Sequence, residues 1–299
     1  MCHPKHQANK CNLSTLSALA VALVVTAWGC AQVQATEPKP KAEVVLRSNL
    51  KFVPLNPARG DAAPQAGVLW GDIRKDVPSG VLLRFAAGFS SPPHIHNITY
   101  RAVVISGAIY NGGENATKLW MGPGSFWTQP AGEPHITAGA ASGGATAFLE
   151  IMEGPYLVQP SKLAFDNGER PVNLEARNVV WLNPSDVTWV DSGAKSSASQ
   201  SAKIAFLWGS PDTGIKNGTF LKLPAGFQGK LVGNASQLRA VVIRGEVAHQ
   251  LTGKPESSKL MPGSYFGSKG RVQHRVLCEG GSECIIYVRT ECKYEVASS

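Results

Sequence analysis

The chain repeats itself. Gly88-Phe89 opens a segment that closes on Arg101-Ala102-Val103-Val104-Ile105 and Gly107. Gly226-Phe227 opens another, closing on Arg239-Ala240-Val241-Val242-Ile243 and Gly245, with identical internal spacing. Upstream, Leu69-Trp70-Gly71 matches Leu207-Trp208-Gly209, and Leu50-Lys51-Phe52-Val53 resembles Val187-Thr188-Trp189-Val190. Downstream, Pro123-Gly124-Ser125-Phe126 matches Pro262-Gly263-Ser264-Tyr265. Self-similarity in register means that one structural unit occurs twice. The 299 residues suffice for two ordinary domains, each with its own core.

Each copy reads as strands. Short apolar runs such as Val103-Val104-Ile105, Ala147-Phe148-Leu149 and Ile285-Ile286-Tyr287 alternate with turns of Gly, Pro, Asn and Ser. No long segment of helical period stands outside the N-terminus. The expected class is therefore all-β, with two tandem small barrels or jelly rolls. The boundary is expected near residues 161–175, giving an N-terminal domain at 36–165 and a C-terminal one at 166–299. The serine-rich stretch at 192–201 reads as a surface loop inside the second copy.

Residues 1–35 read as a signal peptide. Lys5 and Lys10 precede an apolar run from Leu13 to Trp28, too short and too early for a spanning helix, and Val33-Gln34-Ala35 offers small residues for cleavage. The alternatives are a lipid anchor at Cys30, where Trp28 spoils the lipobox, and a retained anchor helix. The expected compartment is periplasmic or extracellular. Past the leader, 27 basic residues against 21 acidic ones leave a net charge of +6. The charge is scattered, with no basic stripe, which argues against nucleic-acid binding. Cys278, Cys284 and Cys292 remain. The first two flank Glu-Gly-Gly-Ser-Glu, a hairpin turn, so one disulfide is expected in an oxidising compartment, with packed free thiols as the alternative.

One constellation carries chemistry. Gly88 is followed by His94-Ile95-His96, Tyr100 and Gly107; Gly124 is followed by Pro130-Ala131-Gly132 and then Glu133-Pro134-His135. On a strand, residues two apart share a face, so His94, His96 and Tyr100 are expected to point the same way. Three neutral imidazoles suit Fe, Zn, Mn, Ni or Cu and leave coordination positions open. Both motifs and their spacing resemble the two signature motifs of the cupin superfamily. The chain is similar to duplicated, exported cupins, including families of unassigned function. The resemblance implies cupin barrels with one divalent metal on His94, His96 and His135. It also implies chemistry of the kind found in three-histidine cupins, which include thiol and diketone dioxygenases. Tyr100 departs from the pattern, which places a Glu ligand there. A phenol titrates near about 10, so its expected role is to donate a hydrogen bond to a water or oxygen species at the metal; the plain alternative is a half-buried strand tyrosine with its hydroxyl in solvent.

The second copy has lost these ligands. Val232, Asn234 and Leu238 align with His94, His96 and Tyr100, and only His274 persists, matching His135. Arg101 and Arg239 recur in both copies and are expected to face away from the barrel axis, in packing or inter-barrel contacts. Weaker candidates are Glu150 and Glu133 as general bases, and Trp127, Phe89 and Phe148 as pocket walls; solvated charge and ordinary core are the alternatives.

The expected function is a mononuclear metal-dependent enzyme, of oxygenase or isomerase type, with Tyr100 and Glu150 as candidate catalytic residues. A divalent ion held by neutral ligands alone keeps its full charge, which favours a small anionic substrate. The alternatives are a non-catalytic module that binds a small ligand or metal, and a scaffold with a structural metal. Expected partners are a small-molecule ligand or substrate and, as an assembly, a homodimer; no nucleic acid is expected, and a membrane only if Cys30 is lipidated. N-terminal sequencing of the protein from its own cell should begin near Thr36; a product beginning at Met1 contradicts the leader.

Overall fold

The apolar runs of both copies become strands, and among the described residues helix is confined to short 3-10 turns. In a computed structural model, the structure describes residues 41–192, 201–210, 212, 214–234 and 237–299. The leader at 1–35 and most of the serine-rich stretch at 192–201 lie outside the described residues.

The first barrel has one large sheet of seven strands. Their order is Val172–Leu174, Phe126–Gln129, Tyr100–Gly107, Ala145–Ile151, Ser79–Phe85, Gln65–Trp70 and Phe52–Pro54. Two small ribbons complete it: His94–His96 with Val158–Pro160, and Ile109–Gly112 with Ile136–Gly139. The second barrel has two six-stranded sheets. One runs Lys41–Val45, Tyr265–Lys269, Gln237–Arg244, Cys284–Thr290, Asn217–Leu223, Lys203–Gly209. The other runs Val190–Ser192, Tyr294–Ser298, Gln228–Gly233, Val272–Glu279, Glu246–Leu251, Ser257–Leu260.

The seven-stranded sheet and the first six-stranded sheet pack against each other, so both are buried on two faces. This explains the near-continuous apolar runs. Alternation then sorts side chains between cores. Tyr100, Ala102 and Val104 enter the first barrel, whereas Val103 and Ile105 enter a core shared between barrels. Ala240 and Val242 enter the second barrel, and Val241 and Ile243 the shared core. Each fully buried aliphatic side chain contributes about 1.5–3 kcal/mol.

The barrels exchange their first strands. Lys41–Val45 pairs with Tyr265–Lys269 of the second copy, and Val172–Leu174 with Phe126–Gln129 of the first. Each exchanged strand runs into a 3-10 turn held by a serine of the barrel it joins: Arg47 N–H donates to Ser264 Oγ (3.1 Å) and Ala176 N–H to Ser125 Oγ (3.0 Å). Val53 then pairs with Ala66, and Leu182 with Ile204. Leu50–Val53 therefore corresponds to residues 179–182 and not to 187–190; an aromatic residue followed by Val in both places produces the false match.

The repeated Trp-Gly and Arg residues build the seam. Trp70 lies opposite Gly80, and Trp208 opposite Gly218. A Cβ on Gly80 would fall 2.3 Å from the Trp70 ring, and one on Gly218 2.0 Å from Trp208 Nε1, so only glycine leaves room for the indole. Each ring then carries an arginine from the other barrel: Arg239 lies 4.6 Å from the Trp70 centroid and Arg101 4.0 Å from that of Trp208. Both arginines face away from their own barrel axis.

Glu150 also belongs to the seam, which corrects its candidacy as a catalytic residue. It lies in register opposite Arg101 and has the parity of Phe148, so its side chain leaves the first barrel. It pairs with Arg289 at 3.4 Å, both side chains being 1% exposed, and accepts a hydrogen bond from the Tyr287 hydroxyl. Burial pushes its carboxyl upward against the pull of Arg289. Cys278 and Cys284 are joined as a disulfide, and Cys292 is free.

Removing one partner of such a pair strands the other in a dry seam. Arg289→Met should cost about 3 kcal/mol at neutral pH, and adding Glu150→Gln should recover part of that loss. Denaturant unfolding of the single and double variants measures both.

Candidate metal centre

His94-Ile95-His96 is a three-residue strand. Its alternation sends both imidazoles inward and Ile95 into the opposite, fully buried face. His135 arrives from a neighbouring segment, and its backbone exchanges a pair of 3.0 Å hydrogen bonds with that of His94. The chain turns at residues 97–99, and Tyr100 begins a separate strand in the large sheet. Tyr100 reaches the same cluster from another direction, not by continued alternation from His96.

Each imidazole is oriented by a backbone carbonyl at Nδ1. His94 Nδ1 bonds Pro92 O (2.9 Å), His96 Nδ1 bonds Leu157 O (2.9 Å) and His135 Nδ1 bonds Glu133 O (3.1 Å). A carbonyl only accepts, so Nδ1 carries the proton and the Nε2 lone pair is left free. The three rings converge, with ligand atoms all within 4.8 Å of one another and the His94 and His96 Nε2 atoms 3.2 Å apart. Burial lowers all three. His135 falls to about 3, with the His94 charge second in effect; His96 falls well below the ordinary range, and His94 falls less. The neutral form that binds metal is thus the resting form. Three aligned lone pairs on second-atom-anchored imidazoles fit a metal ion well.

Two phenols stand against the triad. Tyr156 Oη lies 3.1 Å from His96 Nε2, with its ring stacked on His96 at 4.3 Å. Tyr100 Oη lies 3.4 Å from His135 Nε2 and donates to Asn111 Oδ1 at 3.1 Å. The direction of that bond is fixed from outside. The Glu133 carbonyl must accept from Gln129 Nε2 (3.0 Å), so Gln129 Oε1 accepts from Asn111 Nδ2 (2.8 Å), and Asn111 Oδ1 faces Tyr100 and Thr137. Tyr100 therefore turns its lone pairs, not its proton, toward the histidines, which corrects the donor role expected of it. Burial raises its phenol to about 12 and pushes Tyr156 well above the ordinary range.

Other candidates lie off the site. Glu133 contributes its carbonyl, while its side chain is exposed. Trp127 is core, edge-on to Tyr100 at 6.4 Å; Phe89 packs partly buried against that core, and Phe148 lies in the seam. Asn111, Gln129 and Tyr156 were not singled out by sequence. The first two are polar residues inside apolar strands, which is a usable signal; Tyr156 sits in a loop and offers none.

A family model described as a domain of unknown function, DUF4437, matches residues 43–297. The chain belongs to the DUF4437 family. A search of curated proteins finds no match. Among solved structures, it is similar to a proposed dioxygenase from Nostoc punctiforme, with 13% identity, TM-score 0.58, and coverage of 84% of this chain and 83% of that one. It is similar to the salicylate 1,2-dioxygenase of Pseudaminobacter salicylatoxidans, at 13% identity, TM-score 0.54 and 91% and 90% coverage. A variant of Bacillus subtilis oxalate decarboxylase gives 13% identity, TM-score 0.50 and 85% and 78% coverage. At such identities the likeness is one of fold, and that fold is the all-β cupin jelly roll expected from the motifs.

The second barrel of this DUF4437 chain holds no such cluster among its described residues. The ladder places Leu231, not Val232, opposite His274, one residue off the sequence alignment. Gly233 packs against Leu238, where an added Cβ would come within 3.0 Å. His274 has a partner that sequence did not suggest. Its Nδ1 lies 2.9 Å from His249 Nε2, and its Nε2 lies 3.0 Å from Ser268 Oγ. Burial lowers His249 to about 4 and His274 to about 3, the His249 charge adding to the latter.

Elemental analysis should find one metal ion per chain. His94→Ala/His96→Ala should lose it, and His249→Gln/His274→Gln should keep it. The latter pair also sets a pH dependence. Both groups bind protons more weakly folded than unfolded, so stability is full above about 6.5 and falls as pH drops toward about 4. The double Gln variant should show a flatter unfolding free energy between pH 7 and 4.5.

Proposed function

We propose that this chain is an exported enzyme that binds one transition-metal ion on His94, His96 and His135 and acts on a small anionic organic molecule, by oxygenase- or isomerase-type chemistry. The observation that carries the reading is the triad's tautomer: three carbonyls at Nδ1 leave Nε2 free on three imidazoles whose ligand atoms lie within 4.8 Å of one another. Once bound, the ion supplies Lewis acidity and, if redox-active, access to dioxygen. Three neutral ligands leave its charge uncompensated by protein, which favours an anionic ligand. The dioxygenase and decarboxylase among the similar structures are named for salicylate and oxalate, both anionic chelators, in keeping with this reading.

The protein's own groups have separable tasks. His94 is the most exposed ligand, at 8%, and marks the side from which a substrate enters. Tyr100, its proton held by Asn111, shapes the pocket as an acceptor. Among the described residues the Tyr156 hydroxyl has only His96 Nε2 as a hydrogen-bond partner, so when that lone pair is taken its proton must go to another acceptor, and a substrate oxygen is the one at hand. The same 3.1 Å approach favours one rival reading, in which Tyr156 closes the site as a fourth protein ligand and the metal is structural.

Cobalt-loaded protein separates the two. In an open site, salicylate or oxalate shifts the visible spectrum, and Tyr156→Phe keeps the cobalt while weakening that response about tenfold or more. A spectrum indifferent to both chelators but changed by Tyr156→Phe alone establishes the structural reading. With a turned-over substrate in hand, Tyr156→Phe should lower kcat by about 10²–10⁴.

A further inference from the structure

The seam between the barrels opens on one side into a cleft of about 450 Å³. Its charged lining is cationic throughout: Arg47 from the turn after the first exchanged strand, Arg84 from the first barrel and Lys259 from the second. Leu50, Phe52 and Met261 give it an apolar lining, and Met261 is 45% exposed. Lys259 is committed to Glu246. The arginines are committed to no carboxylate among the described residues. The Arg47 guanidinium donates to the Pro262 carbonyl at 3.1 Å, and that of Arg84 lies 3.5 Å over the Phe52 ring. Partial burial, and after it the charge of Arg47, weaken proton binding at Arg84.

The repeat supplies an internal control. On the opposite side of the seam, Lys222 takes the place of Arg84 and lies 4.3 Å over Trp181, which takes the place of Phe52. Ala176 stands where Arg47 stands. There the cation is balanced: Glu283 pairs with Lys222 at 3.6 Å and with Arg244 at 3.5 Å. The counterpart of Glu283 in the first copy is Gly144, by the registers of Ala145 with Phe85 and of Cys284 with Leu223. One seam thus neutralises its cation over an aromatic ring. The other doubles the cation and omits the acid.

We propose that this cleft is a second ligand site, separate from the metal centre, for a small organic oxyanion with an apolar body, such as an aryl carboxylate. The oxyanion receives charge-assisted hydrogen bonds from two guanidiniums and relieves their repulsion. The apolar body covers Leu50 and Met261, in a space of the size usual for small ligands. The lining comes from both barrels, so occupancy fastens them together and raises the unfolding midpoint. The site shares no residue with the metal centre and does not depend on what that centre does.

Calorimetric titration with benzoate tests this, on wild type and on the His94→Ala/His96→Ala variant, in which benzoate has no metal to bind. Both proteins should bind benzoate at the cleft. Arg47→Gln and Arg84→Gln should each weaken binding about tenfold or more, the size of a hydrogen bond to a charged group. Arg84→Lys should fall between wild type and Arg84→Gln, and Lys222→Gln on the opposite seam should change nothing. Benzyl alcohol and inorganic phosphate, lacking the charge and the body respectively, should each bind more weakly than benzoate. Binding that is absent from the metal-site variant, or unchanged by Arg47→Gln and Arg84→Gln, overturns the proposal. Phosphate binding as tight as benzoate overturns the assigned ligand class.

Discussion

Strands Tyr100–Gly107 and Ala145–Ile151 are buried on both faces, and alternation alone decides which core each side chain joins. Even one residue of slip would send Tyr100 into the seam and Val103 into the core of the first barrel, so register is strongly enforced. The seam fixes it from one side through Trp70, Trp208 and their crossed arginines. The interior fixes it from the other through the Tyr100–Asn111–Gln129 chain. Tyr100, which stands against the triad, is therefore held by a sheet whose far face is a second protein core and not solvent.

The second barrel completes that core. It has lost the ligands, yet it supplies Trp208 for Arg101 and Arg289 for Glu150, and it receives the first exchanged strand of the chain. Its pocket has closed on Leu231, Gly233 and Leu238, and the remaining polarity has collapsed into the His249–His274–Ser268 bridge. The result is a paired fold in which one half carries the histidine triad and both halves carry the packing.

Much of this was legible in sequence. The His-x-His motif, the later His135 and the recurring Arg and Trp-Gly positions depend on period-two alternation and on spacing within one copy, which sequence displays directly. What it hid depends on contacts between distant segments. Glu150 follows Phe148 at the same parity, so its assignment to the pocket failed once Phe148 proved to be a seam residue. Tyr156 comes from a loop, and His249 replaces an asparagine that no motif includes. Phe52-Val53 resembles Trp189-Val190 more than Trp181-Leu182, which drew one repeat match from residues 179–182 to 187–190.

The account turns on three Nε2 atoms meeting at one ion. Anomalous diffraction at the cobalt edge from crystals of the cobalt-loaded protein tests it most directly. One peak per chain within about 2.1 Å of the Nε2 atoms of His94, His96 and His135 is the predicted result. A peak at His249 and His274, or a peak bound through Nδ1 at the triad, contradicts it.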